Sequence, residues 1–130
     1  MVRLGQIVLF SKDKQRLASF LCDLFEMEMD INADSISLGN GEISFLIIER
    51  PRLAECGSST LVDFYVDSED DLNELNSKIE FLTYRLQSSG ESEELIQSMK
   101  KPEIKDLGEV KFFFMTDPDG RRWKISNLCL

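Results

Sequence analysis

Apolar positions recur along this chain with two alternating periods. A branched, apolar stretch from Leu4 to Phe10 reads as a strand, with Ser11 as a candidate helix cap. From Asp13 the period changes, and Leu17, Phe20, Leu21, Leu24 and Phe25 recur at helical spacing to define one buried face. Strand patterns follow near Glu28 to Ile31, Ser35 to Leu38 and Ile43 to Ile48. Gly39-Asn40-Gly41 joins the last two as a hairpin turn, because Asn and Gly accept the positive φ that such turns need. A proline-containing linker of small residues, Pro51 to Ser59, interrupts the pattern.

The order then begins again. Leu61 to Val66 reads as a strand and Asp67 or Ser68 as a cap, with Leu72, Leu75, Ile79, Leu82 and Leu86 as the buried stripe of a second helix. In the polar segment Ser88 to Gly108, Leu95, Ile96 and Met99 fit either a short helix or a strand. Val110 to Met115 and Trp123 to Ser126 form a hairpin across Asp117-Pro118-Asp119-Gly120, where proline presets the turn and glycine accepts the positive φ that follows. The two strand-to-helix joins are about 55 residues apart, too far for a solenoid period. The chain is thus expected to be α+β: one domain over residues 1–130, built from two βαβββ units at about 1–50 and 60–130. One helix covers only one face of a sheet, so the units are expected to pair and enclose the other.

Composition narrows the function classes. A formal net charge of −9 disfavours nucleic acid and anionic membrane as partners, since phosphate contacts need a cationic surface. No run approaches the roughly 20 apolar residues of a membrane span. Arg3 is the only charge before the first strand, too little for a signal peptide, so a soluble cytoplasmic protein is expected. Cys22, Cys56 and Cys129 are odd in number and lack C-x-x-C spacing, which fits free thiols, with Cys22 as a small core residue. The chain has no histidine, which removes the commonest general base and every Ser-His or Cys-His nucleophile.

The doubled βαβββ pattern and the Asp117-Pro118-Asp119-Gly120 hairpin resemble the vicinal-oxygen-chelate superfamily, which contains glyoxalases, bleomycin-resistance proteins and extradiol dioxygenases. The resemblance implies a mixed sheet curled into a cup with the helices outside. It also implies four inward positions that hold a divalent metal in the metal-dependent members. Transferred by motif, these fall on Gln6, on Phe45 or a neighbour, on Leu61 and on Lys124, which stands four positions after the turn glycine where those members carry a carboxylate. Only Gln6 could offer an oxygen, and Lys124 would set an ammonium where the cation sits. A metal-free member without cofactor or catalytic residues is therefore expected. It resembles the bleomycin-resistance-like proteins, which sequester a cationic drug at a dimer interface.

Strand alternation supplies the candidate ligand contacts. If Leu61 points inward, so do Asp63 and Tyr65, while Val62, Phe64 and Val66 face the helices. Gln6, Val8 and Phe10 share one face of the first strand, and Arg122, Lys124 and Ser126 one face of the last, with Trp123 and Ile125 in the core. Asp63 is either solvated, or paired with Lys124 or Arg122, or a polar anchor for a ligand beside Tyr65. The expected site comprises Gln6, Phe45, Asp63, Tyr65, Phe114 and Lys124, binding a small organic molecule, cationic or aromatic, in a homodimer. The alternative is a ligand-free interaction or regulatory module whose interior is closed by a Lys124–Asp63 pair. A lyase or dioxygenase fits the residues less well.

Overall fold

The computed structural model describes residues 1–56 and 59–128, so Cys129 lies outside the described residues, as does part of the expected linker at Gly57 and Ser58. The chain divides into two units, residues 1–57 and 58–130. In the first, strand β1 (Ile7–Ser11) leads into helix α1 (Lys14–Phe25), then β2 (Glu28–Ile31), β3 (Ser35–Gly39), β4 (Ser44–Glu49) and a single-turn helix α2 (Pro51–Ala54). In the second, β5 (Asp63–Tyr65) leads into α3 (Glu69–Ser88), a short α4 (Glu93–Ser98), then β6 (Lys105–Asp106), β7 (Val110–Thr116) and β8 (Arg122–Leu128). Each unit is an open, mixed four-stranded sheet, ordered β1-β4-β3-β2 and β5-β8-β7-β6. In both, the first strand pairs in parallel with the last and the other pairs are antiparallel. This is an α+β fold of duplicated βαβββ topology.

Local chemistry explains the element ends. Asp13, not Ser11, caps α1: its carboxylate accepts from Arg16 N at 3.1 Å, while Ser11 is the last residue of β1 and its hydroxyl accepts from Asp13 N at 3.1 Å. Ser68 caps α3 by accepting from Asp71 N, and Glu69, Asp70 and Asp71 in its first turn complement the helix dipole. The β3–β4 turn is held by Asn40 Oδ1, which accepts from the backbone N–H groups of Glu42 and Ile43 at 3.1 and 3.0 Å, with Gly41 at φ +91°.

In the first unit α1 buries Leu17, Ala18, Phe20, Leu21 and Leu24 against Leu9, Ile36, Leu38, Phe45 and Ile47 of the sheet. In the second, α3 buries Leu72, Ile79 and Leu82, and the sheet contributes Phe113, Met115, Trp123 and Ile125. Trp123 stacks on Phe64 with ring centroids 5.6 Å apart. Two polar residues interrupt the expected α3 stripe. Asn76 Nδ2 donates to Pro102 O at 2.9 Å, and the Thr83 hydroxyl lies 2.7 and 2.9 Å from the carbonyls of Ile79 and Met99. They fasten the segment after α4 to the helix. Cys22 is only half-buried; its thiol donates to Met27 O, and burial pushes its pKa up. No helix among the described residues is long and apolar enough to cross a membrane.

The β7–β8 hairpin closes on a buried carboxylate. Asp117 is 0% exposed; Oδ1 accepts from Asp119 N at 2.9 Å and Arg121 N at 3.1 Å, and Oδ2 from Arg121 Nη1 at 2.8 Å and Trp123 Nε1 at 3.0 Å. Burial pushes its carboxyl pKa up, against the pull of Arg121 and the indole N–H. Gly120, at φ +84°, completes the turn that leads into the strand carrying Lys124.

Candidate functional site

In the second unit the helix side of the sheet takes Phe113, Met115, Trp123 and Ile125, and the period of two leaves their neighbours on the open side. Register fixes three rows there. Asp63 lies opposite Lys124, which lies opposite Phe114. Tyr65 lies opposite Ser126, Ser126 opposite Phe112, and Phe112 opposite Lys105. Arg122 pairs with Thr116. Four expected site residues, Asp63, Tyr65, Phe114 and Lys124, therefore share one sheet face. Tyr65 is 67% exposed there.

These side chains engage one another. Ser126 Oγ donates to Asp63 Oδ1 at 2.8 Å, and Lys124 Nζ lies 3.5 Å from Asp63 Oδ2. Both members of this pair keep close to a third of their side chains exposed. The Lys124 ammonium also lies 4.7 Å from the centroid of Phe112, and the Arg122 guanidinium 4.4 Å from that of Phe114; the two rings meet edge to face at 5.6 Å. The face thus combines apolar ring area with two aromatic-backed cations and a carboxylate held in place by a serine. Phe112, Arg122 and Lys105 were missing from the expected site, although counting in twos from Phe114 and Lys124 already selects the first two.

In the first unit the open face takes Gln6, Val8 and Phe10 from the β1 side, and Ser44, Leu46 and Ile48 from β4. Gln6 Nε2 donates to Ser44 Oγ at 3.3 Å. Phe45 corrects the expected site: it is fully buried on the α1 side, opposite Ile7 and Leu38, and cannot reach a ligand on the open face. The open-face neighbours at that position are Ser44 and Leu46. An open groove of about 680 Å³ runs along β2, β3 and β4, with Glu28, Asp30, Ser37, Gly39 and Ser44 among its lining. Its carboxylates favour a cation, whereas the face around Lys124 does not.

The residues at the positions that the sequence resemblance assigns to a metal do not fit a divalent ion. Gln6 is a weak donor already engaged with Ser44, Phe45 is buried, Leu61 is aliphatic and Lys124 is cationic. Among the described residues no group of three or more His, Cys, Asp or Glu side chains is placed to hold a metal ion.

No protein-family model and no curated protein matches the sequence itself. Solved structures do match its fold. The fosfomycin resistance protein FosX from Listeria monocytogenes, in its tetragonal crystal form, superposes with a TM-score of 0.71 at 17% identity, covering 100% of this chain and 94% of that one. A glyoxalase/bleomycin resistance protein/dioxygenase family enzyme from Burkholderia phytofirmans PsJN gives 0.65 at 13% identity over 95% and 96%. Lactoylglutathione lyase from Agrobacterium tumefaciens gives 0.61 at 13% identity over 96% and 92%. With its duplicated βαβββ topology and near-complete coverage by these structures, the chain has the fold of the vicinal-oxygen-chelate superfamily.

Proposed function

We propose that this chain binds a small organic molecule without a metal, using the open face of the β5-β8-β7-β6 sheet. The supporting observation is the row Asp63–Lys124–Phe114, in register on strands whose other face is buried, with Tyr65 exposed beside it. Ring area supplies contact, and a few fixed polar groups supply orientation, which is the usual division of labour in small-molecule sites. Two of the structural neighbours carry resistance to a small molecule in their names, which agrees with this reading. The carboxylate on this face, Asp63, is engaged by Ser126 and Lys124, which suits it to orienting a ligand.

Titration calorimetry against aromatic acids, aromatic amines and cationic glycopeptides tests the proposal, with the bound face located by chemical-shift changes. Binding at Tyr65, Phe114 and Lys124 is expected, with affinity changing less than about twofold when excess chelator or zinc is added. The Asp63–Lys124 pair favours a second reading, an interaction module whose polar centre is filled from within. A folded sample that binds none of the panel, yet associates through this face, would establish that reading instead.

A further inference from the structure

The small-molecule reading leaves the ligand's charge open, and the side chains around Lys124 bear on it. We propose that this face selects an aromatic acid, its carboxylate seated between Lys124 and Arg122 and its ring stacked on the Arg122 guanidinium. The inference rests on the small-molecule reading and sharpens it to one ligand class.

Lys105, Arg122 and Lys124 share the open face with one strand carboxylate, Asp63, in a chain whose formal net charge is −9. On the helix side of the same sheet the balance is different: Lys111 is met by Glu69 at 2.8 Å and Asp106 at 3.8 Å. Acidic residues thus neutralise one side of the sheet and leave the other cationic. Arg122 forms no ion pair among the described residues, and its guanidinium lies along Phe114. Backed by one ring, a planar guanidinium offers its other face to a second ring and its edge to a carboxylate.

The Asp63–Lys124 contact is built to exchange. At 3.5 Å it is longer than the 2.7–2.9 Å usual for a charge-assisted hydrogen bond, so the three-donor ammonium can turn to an incoming anion. Asp63 keeps its Ser126 hydrogen bond at 2.8 Å when Lys124 turns away. A cationic ligand would have only Asp63 to approach, against three positive neighbours.

Three probes on one ring system separate the possibilities: 2-naphthoate, its isostere 2-naphthamide, and 2-naphthylmethylammonium, titrated into the intact protein at low and high salt. The acid should bind tightest, by about tenfold over the amide, and lose that margin as salt rises. Lys124→Met should remove about tenfold of the acid's affinity and little of the amide's. Asp63→Asn should raise the acid's affinity about two- to fivefold by freeing Lys124. Unfolding followed by the fluorescence of Trp123 confirms that each variant is folded. If the amide or the ammonium binds this face more tightly than the acid, or if Asp63→Asn weakens the acid, the charge assignment is wrong while small-molecule binding stands. If none of the three binds a folded sample, the aromatic-acid assignment is overturned, and small-molecule binding falls with it only when the wider panel fails as well.

Discussion

Asp117 satisfies four donors with two oxygens and ties the backbone of the β7–β8 turn to the edge of Trp123. Removing it takes the carboxylate from a half-buried guanidinium and a buried indole N–H together, so Asp117→Ala should cost about 2–4 kcal/mol in denaturant unfolding. Trp123 fluorescence reports that transition directly. Asp63, Tyr65 and Lys124 fall on one face because polar and apolar residues alternate over residues 63–65 and 122–126, whereas Phe114, in a run of three phenylalanines, is placed there by its pairing with Lys124. In β4, Ser44-Phe45-Leu46-Ile47-Ile48 is apolar on both faces, so alternation cannot say which way Phe45 points. Only the register with Ile7 and Leu38 decides it.

Among the elements, α1, α3 and both hairpins were legible because their periods are strong and their turns carry Asn-Gly or Pro-Asp-Gly. The segment from Ser88 to Gly108 was not, because its structure depends on tertiary hydrogen bonds. Thr83 and Asn76 reach the carbonyls of Met99 and Pro102 from inside α3, at positions where the apolar stripe should continue. They hold α4 and β6 in place, and propensity cannot reveal such a fastening. Thr83→Val keeps the shape and removes the donor, leaving the Met99 carbonyl buried without it. A loss of about 1–3 kcal/mol is expected, with faster hydrogen exchange confined largely to residues 95–106. Equal acceleration throughout the second unit would show instead that the fastening holds the whole unit.

For the whole molecule, the duplicated topology was readable from the repeated order of strand, helix and hairpin, and TM-scores of 0.61 to 0.71 against solved structures agree with it. We propose that the chain self-associates, as the resemblance to the superfamily implies. Val8, Tyr65 and Leu128, each 45% exposed or more, leave apolar surface on the sheets for a second copy to cover. Sedimentation velocity should give twice the mass of one chain at micromolar concentration, and a monomer throughout would refute it.

The parallel pairing of first and last strands also bears on how the protein is made. β1 finds β4 once the nascent chain has passed residue 49, whereas β5 must wait for residues 122–128 before it gains a neighbour. Sheets that join distant segments form slowly. During translation the first unit can therefore settle early, while α3 has its apolar stripe exposed until β8 has been made. That interval is when a chaperone would have most to protect.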